Sequence, residues 1–269
     1  MYTMSPVSNV SALTTQQLAK YAPSIYGNTP AEQRTDKYKL FSTADIIDKM
    51  EEVGFLPTFV MQNGGRNTSI DTRKHMVRFT HHSDIDAGIR KGERAEIILI
   101  NSHDGSSTYN LLAGIYRLVC ANGLVAVDRS FGGEVSIRHM GHTIDEVIDA
   151  SLRIRNNISN VFDAIADMKR IRLTEHDAKN FAKRAAVVRF GEEAAKRGAI
   201  VHPERLLNAR RTDDRDLSLW NVFNAVQENM IKGGETVMRR RMRPITNISA
   251  NVKFNRELWE MAQSYRAAA

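Results

Sequence analysis

The chain has 269 residues, 42% of them hydrophobic and 26% charged, which is ordinary for a globular protein of one large domain or two smaller ones. A single cysteine, Cys120, excludes an intramolecular disulfide, and no run of 18 apolar residues indicates a transmembrane helix. The formal net charge of +7 favours an acidic partner, with nucleic acid ahead of an anionic membrane surface.

Residues 1–41 are predicted to form a loosely structured N-terminal arm, because Ser, Thr, Asn, Pro and Gly are frequent there. The arm contains one short helical segment around Thr15–Tyr21. The first twelve residues have neither a basic start nor an apolar core, so we expect no signal peptide.

The chain becomes regular at residue 42, where a helix over Thr43–Val53 is predicted with Ser42 or Thr43 as its N-cap and Gly54 as its stop. Several strands follow with no helix between them, which favours an antiparallel sheet. A Gly64-Gly65 pair between the first two predicts that they form a hairpin. The predicted strands are Phe55–Gln62, Lys74–Thr80, Glu96–Asn101, Thr108–Val119, Leu124–Val127 and Glu134–Arg138.

Helical patterns dominate from residue 141 onward. A capping box at Thr143–Glu146 predicts a helix to about Ile171, and Thr174 caps a second through Phe190. A third helix is predicted from Asp214 or Asp216 to Ile231, and a last one over Asn255–Ala268. The sequence therefore predicts an α+β fold, in which an N-terminal helix and antiparallel sheet precede a mostly helical C-terminal half. The predicted regions are 1–41, 42–140 and 141–269.

The polar segment 101–107 follows an apolar run and contains a glycine, which predicts a turn between two strands. Asn, Asp and Ser stabilise turns by bonding to nearby backbone, and this explains most of the segment. In the functional alternative, Ser102, His103 and Ser106 donate hydrogen bonds to a phosphate. His103 and Asp104 do not suggest a catalytic pair, because neighbours in a strand face opposite ways.

No familiar catalytic or metal-binding motif is present in the sequence. The close histidine pairs are His81-His82 and His139-x-x-His142, and neither belongs to a complete Cys/His set. A nucleotide-binding Gly-Lys loop and a Gly-x-Ser-x-Gly elbow are also absent. We therefore expect no catalytic residue, metal or cofactor.

The segment 205–256 contains eleven Lys/Arg and five Asp/Glu, a net charge of +6. Arginine binds phosphate oxygens bidentately, so six arginines of this segment are candidate nucleic-acid contacts. Alternatively, the first two pair with the nearby aspartates and the others lie in a solvated loop. The interleaved aromatic residues Trp220, Phe223, Phe254 and Trp259 are expected in the core. The candidate arginines are Arg210, Arg211, Arg239, Arg240, Arg241 and Arg243.

The combination Asn-Ser-His-Asp-Gly-Ser at 101–106 with Arg-Leu-Val-Cys-Ala-Asn-Gly at 117–123 resembles the signature of the phage/plasmid-like protein family, domain of unknown function 932. Further matching stretches extend the resemblance over residues 42–262. The resemblance implies a mobile genetic element and, with it, the cytoplasm of a bacterial host. The signature residues are Asn101, Ser102, His103, Asp104, Gly105, Ser106, Arg117 and Asn122.

These observations favour a non-enzymatic protein that binds or anneals single-stranded DNA in recombination or replication of a phage or plasmid. The order of helix, strands and helices is similar to that of single-strand annealing proteins, which implies a homo-oligomer. The alternative is a protein-interaction module that antagonises a host defence or replication factor. A third hypothesis is a metal-dependent nuclease that uses His81, His82, Asp84, His103 and Asp104.

Overall fold

The chain divides into two compact units, Met1–Ile158 and Ser159–Ala269. The first contains an antiparallel sheet and helices, and the described part of the second is mostly helical and includes a short hairpin. The predicted α+β fold class is therefore confirmed. The computed structural model describes residues 11–27, 42–65, 69–85, 92–104, 108–117, 122–125, 134–137, 144–196, 202–237 and 240–269.

The helices in these stretches include α1 (Thr15–Tyr21), α2 (Thr43–Glu52), α3 (Ile144–Arg170), α4 (Glu175–Phe190), α5 (Glu192–Lys196), α6 (Pro203–Leu206), α7 (Leu219–Lys232) and α8 (Ile248–Ala267). Polar side chains cap several of them, because the first N–H groups of a helix lack partners inside it. Ser42 caps α2, and Thr174 caps α4 as predicted. None of the described helices is long and apolar enough to cross a bilayer.

Two predicted helix starts are wrong. α7 begins after both Asp214 and Asp216, because Asp214 ends a 3₁₀ turn and the Ser218 hydroxyl provides the N-cap. α8 begins well before the predicted Asn255, since Asn247 caps it through its side-chain oxygen. In both cases the helix begins where a polar side chain satisfies its free N–H groups, and that position differs from the predicted start.

The sheet of the first unit consists of β1 (Phe55–Gln62), β2 (His75–His81), β3 (Glu93–Asn101), β4 (Tyr109–Arg117), β5 (Asn122–Val125) and β6 (Glu134–Ile137). The first five are neighbours in chain order, β6 pairs with β4, and every pairing is antiparallel, as predicted. β1 and β2 pair across the connection that contains Gly64-Gly65, so the predicted hairpin is confirmed. The connection, residues 63–74, is long and includes a 3₁₀ turn at Ile70–Thr72.

The apolar core of the first unit includes one face of this sheet and side chains of α1, α2 and α3. Alternate strand residues share a face, so Val77 and Phe79 of β2 lie beside Leu99 and Ile97 of β3 in the core. The helices add buried side chains at helical spacing. These are Leu18, Ile46, Ile47, Met50, Val147, Ile148 and Ile154.

A buried cluster of charge lies on β2 and β3. Arg78 and Arg94 approach the Glu96 carboxylate to 3.6 and 3.5 Å, and all three side chains are buried. The two guanidinium groups also lie over the rings of Phe59 and Tyr116, respectively. Burial raises the pKa of Glu96 above its ordinary value, against the opposing effect of the two arginines. Because these residues are charged, the sequence pattern did not predict the first part of β3, which begins at Glu93 rather than at the predicted Glu96.

The second unit is built around α7, in which every residue from Leu219 to Ile231 is buried. Such a helix is normally apolar, yet α7 carries polar side chains that bond to other segments. Gln227 Nε2, for example, donates to Asn255 Oδ1 of α8 at 2.7 Å. The aromatic residues predicted for the core are indeed buried: Trp220, Phe223, Phe254 and Trp259.

Replacement of Glu96 tests the charge cluster. Glu96→Gln leaves two buried arginines facing a neutral amide, so we expect the free energy of unfolding to fall by about 3–5 kcal/mol. Urea unfolding at neutral pH measures the change. The matched control is Glu52→Gln, whose carboxylate is exposed and pairs with Lys49; here we expect a loss below about 1 kcal/mol. Equal losses in the two variants would contradict a structural role for the cluster.

Candidate functional site

The start of the predicted polar turn lies inside the first unit. Its residues Asn101 and His103 belong to a group of buried polar side chains that come from the 3₁₀ turn at 23–26, the first residue of α2, the start of β2 and the end of β3. The β2–β3 register pairs His75 with Asn101 and so brings these ends together. We call this group the Thr43 cluster: Ser24, Thr43, His75, Asn101 and His103.

The Thr43 hydroxyl is the centre of the cluster. Asn101 Nδ2 donates to Thr43 Oγ1 at 3.0 Å. The Nε2 atoms of His75 and His103 lie 2.8 and 3.3 Å from the same oxygen. On its other side, His75 Nδ1 lies 2.8 Å from Ser24 Oγ. One hydroxyl thus joins a helix to the ends of two strands.

The hydrogen-bonding capacity of Thr43 opposes protonation of the histidines. A hydroxyl has one hydrogen and two lone pairs. Since Asn101 occupies one lone pair, one imidazole Nε2 must donate to the oxygen and the other must accept from it. An added proton on the accepting histidine would direct three donors at two lone pairs. Burial, and next the neighbouring His103, lower the pKa of His75 to about 3; burial also lowers the pKa of His103.

Other signature residues also serve the fold. Ser102 is fully buried and its hydroxyl donates to Asp104 at 2.6 Å, so neither Ser102 nor His103 presents donors to solvent. Arg117 is opposite Asn122 in the β4–β5 register and is itself buried. Gly105 and Ser106 lie outside the described residues. The interpretation of the segment as structural is therefore the one that the described geometry supports.

The five residues of the nuclease hypothesis do not form one site. His103 and Asp104 follow the end of β3 that pairs with the start of β2, whereas His81 ends β2. The six steps between His75 and His81 span about 20 Å at the usual strand rise. His139 and His142 are outside the described residues. In the described stretches, no three His, Cys, Asp or Glu side chains are arranged to hold a metal ion.

Arg210 and Arg211 bind protein groups around the C-terminal half of α7, rather than the aspartates that the alternative predicted. Arg210 Nε donates to Asn229 at 2.7 Å, and its Nη2 donates to the Gly233 carbonyl at 2.6 Å. Arg211 pairs with the buried carboxylate of Glu228 at 2.9 Å. A cation at the last carbonyls of a helix is favoured by the helix dipole. These two arginines therefore have a structural use.

Beyond α7, the chain forms a hairpin of β7 (Thr236–Val237) and β8 (Arg240–Arg241). We call its described residues, 235–237 and 240–243, the arginine hairpin. Gly234 N donates to the Met242 carbonyl at 2.9 Å, which fixes the base of the hairpin next to α7. Gly233 has φ +68°, and a Cβ there would collide with the Met242 carbonyl.

Two of the predicted arginines are exposed on this hairpin. Arg241 and Arg243 are exposed, whereas Met242 between them is buried, so alternate side chains of the extended segment reach solvent. The side chain of Arg240 and all of Arg239 lie outside the described residues. The described geometry therefore separates the predicted arginines into two that are engaged with α7 and two that are available to a ligand.

Sequence reasoning did not identify Ser24, Thr43 and His75 as partners of Asn101 and His103. The histidine at the start of β2 was the available signal, since a buried polar side chain requires a hydrogen-bond partner. It could not indicate which partner, because Ser24 and Thr43 lie in the N-terminal part of the chain.

Comparison with known proteins identifies relatives along almost the whole chain. The profile of the family described as "Domain of unknown function (DUF932)" matches residues 30–259. The chain is 33% identical over 258 residues to two proteins of Escherichia coli K12, "UPF0380 protein YafZ" and "UPF0380 protein YfjQ". Each match covers 94% of this chain and 91% of the relative. No solved structure matches significantly.

The depressed pKa of His75 predicts a loss of stability in acid. The unfolded chain binds a proton near pH 6.5, but the folded chain does so only near pH 3, so stability present above pH 6.5 is lost as the pH falls between these values. We expect this residue to contribute on the order of 1 kcal/mol per pH unit. Urea unfolding between pH 7 and pH 4 measures the slope.

His75→Gln removes this titrating group, so its slope should be shallower than that of the parent protein. The control is His176→Gln, which changes an exposed histidine of α4 and should leave the slope unaltered. Histidine NMR signals give a second readout if His75→Gln is too unstable. Uptake of a proton by His75 in the folded protein above pH 5 would disprove the assignment.

Proposed function

This chain belongs to the DUF932 family, and from its geometry we propose that it binds nucleic acid through the arginine hairpin, with single-stranded DNA as the favoured form. The observation that carries the proposal is the exposure of Arg241 and Arg243 on a hairpin whose base is fixed by backbone bonds. A backbone that is already fixed loses less conformational entropy when its side chains bind phosphate.

The surrounding charge supports the same ligand. The hairpin lies in the segment 205–256, whose net charge is +6 out of +7 for the whole chain. Arg211 and Lys232 share Glu228, so part of this positive charge is neutralised inside the unit. The exposed arginines of the hairpin are therefore the cations of this segment that we assign to phosphate.

The positions of the aromatic residues determine whether nucleic-acid bases could stack on this segment. Trp220, Phe223 and Trp259 are buried against one another and offer no exposed ring on which a base can stack. Binding through this segment would therefore depend on phosphate contacts and would be largely independent of sequence. Such a protein holds the backbone and leaves base edges free to pair, which is what strand annealing in recombination or replication of a phage or plasmid requires.

Salt dependence tests the hairpin. Each phosphate contact to a single strand contributes about 0.7 to the slope of log affinity against log salt concentration. If Arg241 and Arg243 each neutralise one phosphate, the double variant Arg241→Ala/Arg243→Ala should lower the slope by about 1.4. Fluorescence anisotropy of labelled single-stranded and duplex oligonucleotides across a salt series measures it.

The matched control is Arg170→Ala/Arg172→Ala, which removes two exposed arginines at the same sequence spacing, each in a surface ion pair. We expect a smaller change in slope for the control. Equal slopes for the hairpin variant and the parent protein would contradict the assignment of Arg241 and Arg243 to phosphate.

If the parent protein binds no oligonucleotide even at low salt, the alternative function gains support: a protein-interaction module that antagonises a host defence or replication factor. Nuclease-resistant capture of one specific host protein would then test that alternative.

A further inference from the structure

An open groove of roughly 540 Å³ lies on the second unit along α4 and α8. Its lining includes the apolar side chains of Val187 and Val188 from α4 and of Met261 from α8. Apolar surface that lines an open groove gains free energy when another chain covers it. We call this surface the glutamate groove, because three glutamates complete its lining.

The glutamates give the groove a net negative charge. Glu192 and Glu260 are exposed, and Glu257 pairs at 3.7 Å with an exposed lysine of the same helix. Exposed ion pairs of this kind contribute little to the free energy of folding, so Glu257 can exchange its partner with little loss of stability. The lining also contains Arg184, which lies over the ring of Tyr265. Three carboxylates against one guanidinium favour a cationic occupant.

The arginine hairpin adjoins the groove. Arg189, the residue after Val188 in α4, donates a hydrogen bond from its Nη2 to the carbonyl of Arg243. The cationic hairpin and the anionic groove therefore meet at the last turn of α4 and lie side by side on one unit. Because Arg241 and Arg243 are exposed in the same chain, they do not occupy their own groove.

We propose that the glutamate groove receives the arginine hairpin of a second copy, so that two chains associate about a two-fold axis. A surface with adjacent positive and negative halves is complementary to itself after a two-fold rotation, and this is the geometry of a closed dimer. Each copy would place Arg241 and Arg243 against Glu257 and Glu260 of the other. The apolar lining would be covered by the inserted hairpin.

The spacing of the charges fits this pairing. Arg241 and Arg243 are two residues apart on extended chain, which separates them by about 7 Å. Glu257 and Glu260 are three residues apart on α8, which places their Cβ atoms about 5–6 Å apart on one helix face. Long arginine side chains can close the remaining difference, so both ion pairs can form at once.

Charge reversal tests the proposed dimer. The parent protein at about 100 μM in low salt should sediment with a dimer population, since a small charged interface is expected to be weak. The groove variant Glu257→Lys/Glu260→Lys and the hairpin variant Arg241→Glu/Arg243→Glu should each raise the dimer dissociation constant at least about tenfold. Analytical ultracentrifugation of the full chain over a concentration series gives these constants.

Mixing the two variants is the decisive test of the proposed dimer. The normal hairpin of the groove variant meets the normal groove of the hairpin variant, and the two reversed surfaces also attract. An equimolar mixture should therefore dimerise about as tightly as the parent protein, although each variant alone dimerises at least about tenfold more weakly. The control Arg170→Glu/Arg172→Glu should keep the dissociation constant of the parent protein, and circular dichroism checks that every variant is folded. If Lys prevents folding, Glu257→Gln/Glu260→Gln provides the comparison.

A parent protein that stays monomeric at every concentration overturns the dimer, and so does a mixture that fails to recover it. The proposed function is tested separately. The groove variant retains Arg241 and Arg243, so its binding to a single-stranded oligonucleotide reports on nucleic-acid binding when dimerisation is lost. Failure of one proposal is thereby distinguishable from failure of the other.

Discussion

The fold depends on one constraint: polar groups taken out of water must find partners inside the protein. In the first unit, Thr43 satisfies this by joining Asn101 and two imidazoles through a single hydroxyl. In the second unit, Asn229 of α7 donates to the carbonyls of Leu206 and Asn208 and accepts from Arg210. Each group ties together segments that are distant in the sequence. The polar signature residues that are described are therefore explained mainly by architecture, and a ligand is not required to account for them.

The same constraint determines which charges remain for a ligand. Arg210 and Arg211 meet acceptors that belong to α7, and removal of either would leave a buried oxygen or carboxylate with fewer donors. Among the described contacts, the side chains of Arg241 and Arg243 hold no part of the fold in place, because backbone hydrogen bonds fix the hairpin instead. Two arginines of equal charge can thus differ in whether protein groups already occupy their N–H donors, and the difference comes from the acceptors that the fold places beside them.

Local chemistry allowed much of the fold to be predicted. The apolar spacing of Ile46, Ile47 and Met50 predicts α2, and Thr174 predicts the start of α4, because caps and periodicity act over a few residues. The start of β3 was missed since Arg94 and Glu96 look exposed in a sequence but are buried as an ion cluster. The sequence could not show that Arg210 supports the fold rather than a ligand, because its hydrogen-bond partners lie 19 and 23 residues away in the chain.

The two uses proposed for the arginine hairpin are linked through the same two side chains. A guanidinium group placed between the carboxylates of a second copy is not available to a phosphate, so each ligand would weaken the binding of the other by the same factor. High salt would weaken both interactions, because both depend on exposed charge. Free nucleic acid would then favour the separated chains and its absence would favour the dimer. The exposed hairpin, with its rigid base and its adjacent anionic groove, is the element on which this competition would depend.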